Sequence, residues 1–181
     1  MVYVFLADGF EEIEALTPVD CLRRAGRQVC TVGVTGKVVM GAHKIPVGAD
    51  ITIDEFTADA NLEMIVLPGG MPGTLNLGQS DAVKAAIEYA NTNGKWIAAI
   101  CAAPTILGKM GILQGKKAAC YPGCEQDLKG ARNGYDTVVV DGKLVTSKGP
   151  GTAMEFGLKL VECLLTKDVR KQLAESMIVK K

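Results

Sequence analysis

Residues 98–104 read AAICAAP: an apolar run meets a lone cysteine, Cys101, and then gives way to small residues. A strand that enters a helix through small residues can hold its turn residue in a strained geometry, side chain exposed and the next amides aimed at one spot. Ala102 and Ala103 leave room for close approach there. Helix N-termini lower a cysteine pKa, because free N–H groups and the dipole favour the thiolate. The same letters also spell a small, buried, inert thiol, and the heptapeptide alone does not choose between the two.

Two other segments carry groups that such a thiol could use. In LPGG (67–70), Gly69 and Gly70 remove side chains where amides could face an oxyanion, although a structural turn explains the same glycines. GFEEIEAL (9–16) carries Glu11, Glu12 and Glu14. The helix dipole is reason enough for Glu11 and Glu12 in a first turn. Glu14 differs, because Pro18 lacks the N–H that the Glu14 carbonyl would meet. Alternatively the regular helix starts at Pro18, with Thr17 as cap. Either arrangement makes the backbone at Glu14 irregular. A carboxyl buried beside a thiol has a raised pKa and can share its proton.

The elements that must position these residues alternate. Apolar runs at 2–7, 28–34, 64–70 and 96–100 read as buried strands. Helical stretches fall at 11–25, 80–94 (capped by Ser80, closed by Gly94), from Pro104 onward, at 153–165 and at 167–176 with Thr166 as cap. Residues 37–54 have short β-like runs broken by glycines, a small hairpin or excursion, and Asp141-Gly142 turns a hairpin within 137–147. This alternation predicts an α/β fold, one unit over 1–181, with a mostly parallel central sheet and helices on both faces. Ligands of such sheets bind at the carboxyl ends of strands near a topological switch, so the ends at Ala7-Asp8-Gly9, Pro68-Gly69-Gly70 and Ile100-Cys101 are expected to form one site.

Composition excludes several classes. Twenty basic residues offset twenty acidic ones, so no net field draws nucleic acid or an anionic membrane. No apolar run approaches the ~18 residues of a membrane span, and the acidic N-terminal stretch lacks the basic region of a secretory signal. The expected location is cytoplasmic, with the six cysteines mostly reduced. Their spacing forms no metal set; Cys120 and Cys124 in ACYPGC could be buried hydrophobes, a disulfide or an adventitious metal pair. LPGGMPG lacks the Gly-Lys-Ser/Thr of a phosphate loop.

Taken together, ADGFEEIEALTPVDCLRRAG (7–26), IVLPGG (65–70), AAICAAPTIL (98–107) and TSKGPGTAMEFGLKLVE (146–162) resemble the ThiJ/PfpI superfamily, in its ThiJ branch, over nearly the whole chain. The resemblance implies a flavodoxin-like three-layer sandwich, usually a homodimer. It implies Cys101 as nucleophile, Glu14 as the general acid/base bonded to it, and the amides of Gly70 and Ala102 as the oxyanion site. Gly69 and Arg24 match pocket positions. His43 falls where relatives have a basic residue reaching toward the partner subunit's site; a surface hairpin residue is the plain alternative. Tyr121 stands where some members have a pocket histidine.

No histidine follows Cys101 directly, as PfpI-type peptidases require, and the downstream His-x-Glu of class I glutamine amidotransferases is absent. Both activities are therefore disfavoured. The expected function is a cofactor-free and metal-free enzyme on reactive dicarbonyls of the glyoxalase or deglycase type. Its partners would be a small carbonyl substrate or modified protein thiols and amines. The alternative is a redox-responsive protective protein or chaperone in which Cys101 oxidises to a sulfinate.

Overall fold

The computed structural model describes residues 1–179; the last two residues of the expected 1–181 unit lie outside the described residues. Its centre is a seven-stranded sheet. The strands are β1 (Val2–Leu6), β2 (Val29–Gly33), β5 (Ile51–Thr52), β6 (Met64–Leu67), β7 (Trp96–Ile100), β10 (Val138–Asp141) and β11 (Leu144–Ser147). They stand in the order β10-β11-β7-β6-β1-β2-β5, and only the β10–β11 pair is antiparallel. Between β2 and β5 lies a separate hairpin, β3 (Val38–Met40) with β4 (Pro46–Gly48), and β8 (Lys117–Ala118) pairs with β9 (Arg132–Asn133) apart from the main sheet.

The central strands are apolar on both sides because helices cover both faces. Alternate residues sort cleanly. Phe5, Ile65, Leu67, Ile97 and Ala99 face a core made with α2 (Gly73–Gln79), α3 (Asp81–Thr92) and α4 (Pro104–Lys109). Val4, Leu6, Val66, Ala98 and Ile100 face a second core made with α1 (Glu12–Arg24), α5 (Ala153–Leu164) and α6 (Lys167–Ser176). This is the flavodoxin-like sandwich that the alternation and the resemblance imply.

Three local expectations change. Helix α1 runs unbroken through Pro18, so Glu14 sits in its regular first turn rather than in a bend. Helix α2 has no counterpart in the sequence pattern: GTLNLGQ has two glycines and no strong cap, and packing of Leu77 into the core outweighs that weak propensity. Of the segment 37–54, the hairpin forms as expected, while β5 leaves it to extend the sheet edge beside β2. The expected caps are present, with Ser80 accepting from the Val83 N–H at 3.3 Å and Thr166 from the Val169 N–H at 3.2 Å.

Candidate active site at the strand ends

From β1 the chain moves to β2 on one side, and then to β6 on the other, so the sheet's switch point lies between β1 and β6. The carboxyl ends of β1, β6 and β7 are therefore neighbours, and the three segments singled out in the sequence meet there. The loop after β1 is tied to that after β6 by the Glu11 N–H donating to the Gly69 carbonyl at 2.9 Å. The first turn of α1 then delivers Glu14 beneath the loop, where its Oε2 accepts the Gly69 N–H at 2.9 Å.

Cys101 follows β7 with φ of +64°, a left-handed conformation that costs a non-glycine residue roughly 1–2 kcal/mol. Its own backbone is fully committed. The Cys101 N–H donates to the Ser147 carbonyl at 3.0 Å, and its carbonyl accepts the Tyr121 N–H at 2.8 Å. These bonds to β11 and to the loop after β8 hold the turn, and Cys101 is left half-buried. The N–H groups of Gly70 and Ala102 lie near enough to the thiol sulfur to favour its charged form. The next peptide is also anchored, since the Ala102 carbonyl accepts the Thr105 hydroxyl at 2.7 Å. Gly69 is the spacer. A Cβ there would lie 2.7 Å from both the Cys101 Cβ and Glu14 Oε2, so only glycine lets thiol and carboxyl approach.

The electrostatics of the pair are coupled. Glu14 is wholly buried, and burial pushes it up to about 7, against the opposing pull of the nearby Cys101 thiol and of the hydrogen bond from the Gly69 N–H. Burial, and then the Glu14 charge, push the Cys101 thiol up to about 12, while the Gly70 and Ala102 amides pull it down. The lowered thiol pKa expected from a helix N-terminus is thereby corrected: α4 begins three residues later, at Pro104, and burial dominates. Over a wide pH range the pair holds one proton, on sulfur or on carboxyl, with the two amides favouring the thiolate. The second carboxyl oxygen, Oε1, is buried without a hydrogen-bond partner, and the Cys101 thiol is the neighbouring group that influences the carboxyl.

The remaining expected residues divide. Tyr121 borders the site, half-exposed, with its ring beside Gly149. His43, on the hairpin turn, packs against the start of α1, its Nδ1 2.9 Å from Glu12 Oε2 and 3.5 Å from Glu11 Oε2. The Glu12 hydrogen bond and the two carboxylates raise the His43 pKa. Burial pushes Glu12 up, but bonds from the His43 ring and backbone outweigh it and hold Glu12 below its ordinary value. Arg24 lies at the opposite end of α1 from Glu14, paired with Asp20 at 2.7 Å beside α6. At 1.5 Å per residue, ten helical residues carry it ~15 Å from Glu14. Within this chain it is no part of the cleft.

Sequence reasoning missed two supports. Thr105 reads as an ordinary helix residue, and its role depends on the turn that only the fold creates. Thr146 and Ser147 are polar residues buried at the end of a core strand, which was the available signal; Thr146 Oγ1 accepts the Ala119 N–H at 2.9 Å, fixing the loop that carries Tyr121.

Comparison with known proteins adds to this geometry. The model of the DJ-1/PfpI family matches residues 1–163. Protein dj-1beta of Drosophila melanogaster is 38% identical over 179 residues, covering 97% of this chain and 95% of its own. A Pyrococcus abyssi protein named as a deglycase is 33% identical over 171 residues, covering 90% and 98%. The structure titled Toxoplasma gondii DJ-1, oxidized, superposes with a TM-score of 0.92 at 38% identity, covering 99% of this chain and 98% of that one.

Proposed function

The chain belongs to the DJ-1/PfpI family, and from that premise we propose that it is a cysteine-dependent enzyme of the glyoxalase or deglycase type, acting on reactive dicarbonyls without a cofactor. The observation that carries the reading is the elbow itself: Cys101 at positive φ, with a buried Glu14 of raised pKa beside it and the Gly70 and Ala102 amides near enough to favour the thiolate. The Pyrococcus abyssi relative named as a deglycase supports the substrate class.

With methylglyoxal, the Cys101 thiolate adds to the aldehyde carbon, and the carbonyl electron pair moves to oxygen, facing the Gly70 and Ala102 amides. The Glu14 proton caps that oxygen to give the hemithioacetal. The Glu14 carboxylate then takes the hydrogen from the former aldehyde carbon and returns a proton to the adjacent carbon, through an enediol. The result is a thioester of lactate on Cys101. Water cleaves it, releasing lactate and restoring the thiol. One carbon is oxidised and its neighbour reduced, so no external redox partner enters. Adducts on thiols or amines would lose their carrier as leaving group in the same sequence. The one histidine of the sequence, His43, faces Glu12 rather than the thiol, which argues against a cysteine–histidine peptidase.

The test is lactate formation from methylglyoxal by the wild type, Cys101→Ser and Glu14→Gln. Turnover should vanish in the first variant and fall at least ~100-fold in the second, the usual worth of a positioned acid/base. Glu14→Gln should still be alkylated at Cys101, which separates proton transfer from loss of the nucleophile. Wild-type turnover no greater than that of Cys101→Ser would sink the reading.

A second reading uses the same atoms: Cys101 oxidises to a sulfinate that a protonated Glu14 holds by hydrogen bond. Glu14's raised pKa favours it. Mild peroxide should then add two oxygens to Cys101 before any other cysteine, as read by mass spectrometry. As in its family, we further propose that the chain pairs with a second copy, and that the protein works in the cytoplasm.

A further inference from the structure

Helices α2, α3 and α4 enclose a hollow of about 300 Å³. Small-molecule sites begin at roughly that size. These three helices cover one core and α1 covers the other, so the hollow lies on the layer opposite α1. Two threonines in its wall differ in one respect. Thr105 commits its hydroxyl to the Ala102 carbonyl at 2.7 Å. Thr74 donates its backbone N–H to the Gly70 carbonyl at 2.9 Å, which fixes the residue in place. Its hydroxyl, however, is buried without a hydrogen-bond partner among the described residues, and Thr74 as a whole is only 4% exposed. A buried hydroxyl left unpaired is costly, and a ligand oxygen at this wall would supply the partner.

The rest of the wall names the kind of ligand. Leu75, Ile106 and Met110 make it apolar, and Leu75 is 45% exposed. Gly78 keeps the space open, since a Cβ there would meet only Ile106, no closer than 3.5 Å. Two lysines also line the hollow. Lys84 is paired with Asp81 at 2.6 Å. Lys109, exposed in the last turn of α4, forms no ion pair among the described residues. An apolar surface beside an unpaired cation and an unpaired hydroxyl suits a molecule with an apolar body and an anionic head.

We propose that this hollow binds a small amphipathic monocarboxylate. Its apolar body lies against Leu75, Ile106 and Met110, and its carboxylate takes donors from Lys109 and from the Thr74 hydroxyl. The site goes beyond the Cys101 chemistry proposed above and does not rest on it.

The test is titration of hexanoate into the isotope-labelled full chain, followed by amide shifts in NMR spectra. Shifts should saturate and gather at residues 74–79 and 105–110. Hexanol and hexylamine, which keep the apolar body but lack the anion, should bind more weakly. Affinity for hexanoate should fall at least ~3-fold in Lys109→Gln and in Thr74→Val, and be lost in Gly78→Leu, which fills the space. Thr74→Val should melt no lower than the wild type, because the hydroxyl it removes has no bond to lose within the chain; a hydroxyl with a structural role would lower the melting temperature. Cys101→Ser should bind hexanoate as the wild type does. Absence of saturable shifts, shifts gathered elsewhere, equal affinity for hexanol, or affinity unchanged in Lys109→Gln and Thr74→Val each overturns the site. Methylglyoxal turnover is not the readout, so either proposal can fail without the other.

Discussion

At the scale of the residue, the consequential group is Glu14. Its folded pKa is raised from 4.5 to about 7 by burial, so the folded chain holds this proton more tightly than the unfolded one. The stabilisation is therefore complete below the ordinary carboxyl pKa and is lost as pH rises through about 7. Glutamine has no such titration. Glu14→Gln should consequently gain up to about 3 kcal/mol over the wild type above that window, and no advantage on its acid side. Urea denaturation at a series of pH values checks this; a variant less stable than the wild type at alkaline pH would contradict it. Cys101 and Glu14 were legible as candidates because thiol and carboxyl lie in small-residue and acidic contexts that ask for explanation. The direction of the thiol's shift was not legible, since burial is a property of the assembled cleft and not of AAICAAP.

At the scale of the element, the turns after β6 and β7 set the distance between the two groups. Gly69→Ala would drive a methyl between the thiol and the carboxyl. Overpacking of this kind costs about 1–3 kcal/mol, and here it should also abolish turnover. Cys101 should meanwhile remain open to alkylation, so activity and thiol labelling measured side by side will separate misplacement from unfolding. Thr105→Val, nearly the same shape, removes the hydroxyl that anchors the Ala102 carbonyl. It should cost about 1 kcal/mol in stability and lower kcat more than it changes KM, because the Ala102 amide is needed chiefly when charge develops on oxygen. LPGG announced its strand end plainly. Helix α2 just beyond did not, because its glycine-rich sequence is helical only where the core receives Leu77.

For the molecule as a whole, alternation of apolar runs with amphipathic ones sufficed for the layered architecture, and strand ends sufficed for the location of the cleft. What pattern could not supply was distance along a helix in three dimensions: Arg24 shares α1 with Glu14 but points from its far end toward α6. The outer side of α1 leaves Ile13 and Leu16 open to solvent near the cleft, beside Ile45 of the hairpin. Apolar groups so gathered suit an interface between copies. Ile13→Lys should shift the proposed pair toward monomers in light scattering, while an unchanged mass would place the interface elsewhere.

The commitment of both Cys101 backbone groups, one to Ser147 and one to Tyr121, has a consequence for chemistry by replacement. The peptide cannot swivel to suit whatever side chain it bears, so the position behaves as a fixed mount. Serine or selenocysteine installed there would inherit the same pose toward the same amides. Rate differences among the three atoms would then report intrinsic reactivity rather than altered aim, a comparison that mobile loops rarely permit.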